Sequence, residues 1–277
     1  AERVFEIMDR TDYEPEQDNQ DLQIQDGSIE FKHISFSYDG KRDVLRDISF
    51  SVKKGQTIAF VGSTGSGKSS IINLFLRFYE FERGQILIDG RDIKDFSQEE
   101  LRRKIGLVLQ DPFLYHGTVA SNIQLYQEQL TREEIIEAAK FVDAHGFISQ
   151  LPQGYDAPVT ERGATFSSGQ RQLLAFARTI ATKPKILILD EATANIDSET
   201  EELIQASLRK MRRGRTTIAI AHRLSTIQDA DCIYVLDKGC IIESGSHEEL
   251  LAQDGTYKKM YQLQAGMMEF WRKPDYK

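Results

Sequence analysis

The chain has 277 residues, 40% of them hydrophobic and 28% charged, enough apolar material for one main domain with a smaller lobe. Lys and Arg total 35 against 43 Asp and Glu, and the resulting net charge of −8 weighs against a nucleic-acid backbone as the main partner. Cys232 and Cys240 lack CxxC spacing and clustered histidines, so no zinc site or disulfide framework is indicated, and no apolar run approaches the roughly 20 residues that span a membrane.

In chain order, residues 1–10 carry Val4, Phe5, Ile7 and Met8 at helical spacing, and an acidic linker follows. The chain opens on Ala1 within that pattern, without Met or a signal peptide, as a piece of something longer would. Period-two segments at 29–31, 34–36 and 48–52 predict antiparallel strands with one wet face. A buried strand at 57–61 leads through glycines into a helix over 69–79. Residues 101–113 and 125–150 switch to helical spacing, the second with Ile135, Ile136, Ala139, Phe141, Val142, Phe147 and Ile148 as its apolar stripe. Strand-sized runs at 186–189, 217–220 and 233–236 then alternate with amphipathic stretches, including 198–212, as in parallel βαβ units, and a tail helix closes over 255–264.

Between the strand at 57–61 and its helix lies Gly62-Ser63-Thr64-Gly65-Ser66-Gly67-Lys68-Ser69, with Ser70 next, which fits G-x-x-x-x-G-K-[ST]. Glycines there let successive backbone N–H groups face phosphate oxygens, and the following helix aims its positive end at the same anion. In such loops the lysine, here Lys68, reaches the β- and γ-phosphates of a nucleotide and the serine, here Ser69, is a Mg²⁺ ligand. The loop alone does not choose among kinases, GTPases and transport ATPases. Asp190 and Glu191, at the end of the run 186–189, read either as a Mg²⁺ ligand and a water-orienting carboxylate or as a helix cap. Taken singly, Tyr38 reads by default as a half-buried strand aromatic and His222 as a core or cap histidine, Gln110 reads also as an exposed amide, and His33, His116, His145 and His247 read as surface residues.

Ser167-Ser168-Gly169-Gln170 precedes the Asp-Glu strand, and Ala221-His222-Arg223 follows it. With the phosphate loop, Gln110 and Tyr38, these motifs in this order resemble an ATP-binding-cassette (ABC) ATPase over residues 29–251. The resemblance implies an α/β fold, a RecA-like P-loop core with an antiparallel β subdomain and a helical subdomain at about 110–170. It implies Tyr38 as the adenine-stacking aromatic, Ser167 to Gln170 as the signature that meets a partner's nucleotide, Gln110 as a magnesium- and water-sensing amide, and His222 as the switch histidine. The cofactors implied are ATP and Mg²⁺, with Ser69, Gln110 and Asp190 toward the metal and Glu191, His222, Lys68 and Gln110 toward catalysis. Thr160-Glu161-Arg162-Gly163 and the wording of residues 221–226 resemble bacterial multidrug-type exporters. On that reading residues 1–28 end a connecting helix and linker from a transmembrane domain, 29–254 form the nucleotide-binding domain, and 255–277 a terminal helix and tail.

The implied working unit is a head-to-tail dimer of such domains on the cytoplasmic face of the membrane, exporting a hydrophobic or drug-like substrate, with no nucleic-acid partner. Two departures bear on it. Phe166 replaces the usual leucine, and Ser168 stands where the family has glycine, adding a side chain beside a phosphate. Ser168 favours a heterodimer with unequal sites over a homodimer. Asn195-Ile196 also departs from the common Ala-Leu, with no consequence assigned.

Overall fold

The computed structural model describes residues 22–109, 111–125, 127, 129–160, 163–190, 198–220 and 227–272. The expected helix at residues 1–10 therefore lies outside the described residues.

The chain enters through strands β1 (Ile29–Phe36) and β2 (Leu45–Val52), then the buried β3 (Thr57–Gly62) and helix α1 (Lys68–Phe75). Strands β4 (Arg83–Ile88) and β5 (Arg91–Asp92) follow, then α2 (Gln98–Lys104) and β6 (Ile105–Val108). A small β7 (Gly117–Thr118) opens a helical region of α3 (Val119–Gln124), α4 (Arg132–Phe141) and α5 (His145–Gln150), closed by β8 (Pro158–Val159). Then come α6 (Ser168–Ala181), β9 (Ile186–Asp190), α7 (Ser198–Arg212), β10 (Thr216–Ile220), β11 (Cys232–Asp237), β12 (Cys240–Gly245), α8 (His247–Ala252) and α9 (Thr256–Arg272).

One sheet is antiparallel in the order β2-β1-β4-β5. Its buried face carries Ile29, Phe31, Ile34 and Phe36, and the step from Phe31 to Ile34 breaks the period of two. The break is a pair of bulged residues, His33 and Asp47, both at φ 52, where the register shifts. Their backbone N–H groups donate to the hydroxyls of Ser49 at 2.9 Å and Ser35 at 3.0 Å. The bulge explains why β1 reads in sequence as two short segments.

The second sheet runs β12-β11-β3-β10-β9-β6, parallel except for the edge strand β12. Its inner strands are buried on both faces, and alternate residues serve different cores. Ile58, Phe60, Ile186, Ile188, Ile218 and Ile220 pack toward α1 and the antiparallel sheet, whereas Ala59, Val61, Leu187, Leu189 and Ala219 pack toward α4, α6 and α7.

Several expectations need correction. Residues 101–113 are not one helix: α2 stops at Lys104 and Ile105–Val108 is a strand. The buried Leu101, Ile105 and Val108 fall at helical spacing by coincidence, an ambiguity inherent in short apolar runs. Residues 125–150 break into α4 and α5, and Leu125 has φ 46 just beyond α3. Helix α1 ends at Phe75, short of 79, with Arg77 at φ 52, while α9 runs on to Arg272. His145 and His247 are half-buried rather than surface residues, and their Nδ1 atoms lie 2.8 and 2.7 Å from the hydroxyls of Tyr155 and Tyr257.

Candidate functional site

The loop Gly62 to Ser69 leaves the C-terminal end of β3 and turns directly into α1. Two of its glycines, Gly62 and Gly67, are dictated by space as well as by φ. A Cβ on Gly62 would strike the carbonyl oxygen of Leu236, and one on Gly67, at φ 111, would come 2.7 Å from Leu45 Cδ2. The Gly239 N–H supports the loop from behind by donating to the Ser66 carbonyl at 3.0 Å, and Ser66 N donates to Ser63 O at 3.1 Å. Helix α1 begins on Gly67 without a side-chain cap, so its leading N–H groups remain available to an anion.

Lys68 is only 6% exposed. Its ammonium donates to the carbonyls of Gly62 at 2.8 Å and Ser63 at 2.9 Å, and to Ser66 Oγ at 3.4 Å. Burial pushes its pKa below the usual lysine value, and the Asp190 carboxylate opposes that shift. The cation and the acid are thus electrostatic neighbours although 122 positions separate them, because β10 alone lies between β3 and β9.

Ser69 is exposed at the start of α1, and Asp190 is half-buried at the end of β9. No group of three His, Cys, Asp or Glu able to hold a metal occurs among the described residues. A hydroxyl and a single carboxylate nevertheless fit Mg²⁺, which takes one or two hard protein oxygens and completes its shell with water and phosphate.

Gln110, Glu191 and His222 lie outside the described residues. The strands that precede them, β6, β9 and β10, end together: Val108 pairs with Leu189, Asp190 with Ile220, and Ile220 with Phe60 next to the loop. That common edge is the crevice where open α/β sheets hold ligands.

Tyr38 is 46% exposed and sits beside α1, its hydroxyl donating to Ser70 Oγ at 3.0 Å and accepting from Asn73 Nδ2 at 3.3 Å. Phe36 and Tyr79 meet it edge to face at 4.8 Å. The structure therefore gathers Tyr38, the loop, Ser70 and Asp190 at one place.

Ser167, Ser168, Gly169 and Gln170 form a separate feature, the start of α6. Ser167 Oγ accepts from Gln170 N at 3.1 Å and Gln170 Oε1 accepts from Ser167 N at 3.0 Å, a reciprocal capping box. Ser168 is half-exposed in that first turn. Gly169 is buried, and a Cβ there would strike Thr200 Cγ2 of α7. Phe166 is buried among core residues with Phe147. Among the described residues no hydrogen bond joins this turn to the Gly62–Ser69 loop.

Sequence reasoning passed over the residues that support these parts. Asn73 carries no motif, and Gly239 reads only as a hairpin turn, with nothing local to say that it backs the loop. Asn122 and Arg178 likewise pin the segment after β6, Asn122 Nδ2 donating to Tyr115 O at 2.8 Å and Arg178 Nε to Asn122 O at 2.7 Å.

A family profile described as ABC transporter matches residues 45–194. The chain is 71% identical, over 97% of its length, to the putative ABC transporter ATP-binding protein exp8 of Streptococcus pneumoniae, covering 46% of that protein. It is 52% identical, over 96% of its length, to the probable multidrug resistance ABC transporter ATP-binding/permease protein YheH of Bacillus subtilis, covering 39% of it. A solved bacterial Atm1-family ABC exporter with ATP bound superposes with a TM-score of 0.86 at 42% identity, over 95% of this chain and 46% of that one. The chain thus spans less than half the length of these relatives. With a RecA-like α/β core, a glycine-shaped phosphate loop and an acid set beside its lysine, the chain belongs to the ABC transporter family, as an ATP-binding domain of the kind that hydrolyses ATP.

Proposed function

We propose that this chain is the Mg-ATP-hydrolysing motor of a multidrug-type exporter, working as one half of a head-to-tail pair. The observation that carries the reading is the meeting of the loop, Lys68 and Asp190 at the C-terminal edge of the parallel sheet. On this reading residues 29–254 are the nucleotide-binding domain with its helical part at about 110–170, residues 1–28 connect it to a transmembrane domain, and residues 255–277 are a terminal helix and tail. No helix among the described residues is long and apolar enough to cross a membrane. A membrane-spanning partner domain would therefore come from outside the described residues.

Adenine stacks on Tyr38, and the triphosphate lies along the N–H groups of the Gly62–Ser69 loop with the N-terminus of α1 behind it. Lys68 gives up its contacts with Gly62 O and Ser63 O for the β- and γ-phosphate oxygens, a closer match for a buried cation. Ser69 and Asp190, with Gln110, would hold Mg²⁺, which supplies charge neutralisation at the β- and γ-oxygens when bound. Glu191 and His222 orient the attacking water, and Lys68 steadies the charge that spreads over the transferred phosphoryl group. The capped start of α6, Ser167 to Gln170, presents its positive end to the γ-phosphate held by a partner domain.

The experiment is Glu191→Gln. Mg-ATP affinity is expected to stay within about threefold, while turnover falls by about a hundredfold or more, the range of a lost general base. Near-normal turnover would remove Glu191 from its role. Ser168, half-exposed in the turn that would face the partner's phosphate, supports a heterodimer of unequal sites. A homodimer of this chain that hydrolyses ATP equally at both sites would overturn that part.

A further inference from the structure

We propose that Asn73 is a positioning residue for the nucleotide base, acting through the Tyr38 hydroxyl as a tether between the aromatic platform and the phosphate loop. The proposal rests on the reading that ATP occupies the loop with its adenine on Tyr38. Three polar groups line up from one turn of α1 to the next. Asn73 Nδ2 donates to Tyr38 OH at 3.3 Å, and Tyr38 OH donates to Ser70 Oγ at 3.0 Å. Ser70 is buried, and its hydroxyl oxygen accepts from Tyr38. Such a head-to-tail chain polarises each member in the same direction.

The geometry makes the tether necessary. Tyr38 lies in the stretch after β1, on a different element from the loop it serves, and it remains 46% exposed. Phe36 and Tyr79 touch its ring edge to face, and neither contact fixes how far the ring sits from the phosphates. The bonds to Ser70 and Asn73 do, since Ser70 stands two positions beyond Lys68 and Asn73 one turn further along the same helix. The distance from base platform to phosphate cradle is thereby set by α1 itself.

The test uses the 277-residue chain with Tyr38→Phe, Asn73→Ala and the double variant, titrated calorimetrically with Mg-ATP and with Mg-tripolyphosphate, which has no base. Tyr38→Phe keeps the ring and removes only the hydroxyl, so its fold is secure, and melting temperatures check Asn73→Ala. The expected result is about three- to tenfold weaker Mg-ATP binding in each single variant, the scale of one or two lost hydrogen bonds. The double variant should match Tyr38→Phe alone, since both changes break one chain. Tripolyphosphate affinity should move by less than about twofold, because stacking contributes nothing to it. Unchanged Mg-ATP binding, additive losses, or equal losses for both ligands would overturn the tether. Failure of the unsubstituted chain to bind Mg-ATP would instead overturn the nucleotide reading and the tether with it.

Discussion

Asp89 shows how one side chain can hold a whole segment in place. Its carboxylate accepts from Gln25 N at 2.9 Å, Asp26 N at 3.0 Å and Ser28 N at 2.9 Å, and from the Ser28 hydroxyl at 3.1 Å. Glu100, itself buried, takes Ile24 N at 3.0 Å a few residues earlier. Burial pushes the Asp89 pKa up, but the bonds from Asp26, Ser28 and Gln25 outweigh it and hold the carboxyl below its ordinary value of 3.8. A folded-state pKa that is depressed means stabilisation present above 3.8 and lost as pH falls through the lower folded value. Asp89→Asn should therefore cost about 1 kcal/mol at neutral pH after solvent screening. The gap from the unsubstituted chain should close as pH drops below 3.8, followed by thermal melting. Amide exchange at Gln25, Asp26 and Ser28 should quicken in the variant at neutral pH.

At the scale of elements, the start of α6 serves two demands through adjacent residues. Ser167 and Gln170 satisfy each other's backbone N–H groups, while Gly169 lets α7 approach closely enough for its missing Cβ to be filled by Thr200 Cγ2. The glycine of the signature is thus also a packing glycine, which motif reading alone does not reveal. Gly169→Ala is expected to destabilise the chain by about 1–3 kcal/mol, the range for an overpacked contact, as measured by urea unfolding. Adding Thr200→Ser, which deletes the obstructing methyl, should recover most of the loss. No recovery would mean that the contact between α6 and α7 is not the constraint. The same close packing governs β6, where a Cβ on Gly106 would come 2.7 Å from Thr179 Cγ2 of α6. Tertiary approach of this kind decided that Ile105–Val108 is a strand, although its apolar spacing also suits a helix.

Across the whole molecule, the parallel sheet turns distances along the chain into neighbourhood: β3, β10, β9 and β6 lie side by side, so Gly62, Ile220, Asp190 and Val108 end on one edge. The net charge of −8 belongs to this scale too. It predicts no retardation of a 20-base-pair DNA duplex in a gel-shift assay at about 0.15 M salt, where counterion release drives nucleic-acid binding by basic surfaces. Binding that persists at that salt would contradict the reading from composition. The sequence by itself determined the phosphate loop, the strand–loop–helix order around it, the β-rich opening and the family, because each is encoded in local spacing: glycines at fixed offsets, alternation with period two, a lysine before a serine. Only the tertiary structure decided that Asp190 ends on the same sheet edge as the loop, within electrostatic reach of Lys68, that Gly239 backs the loop, that Asn73 and Ser70 hold Tyr38, and that Gly169 is shaped by Thr200. Those partners are joined by sheet order and side-chain reach, which depend on how elements pack and leave no periodic trace along the chain.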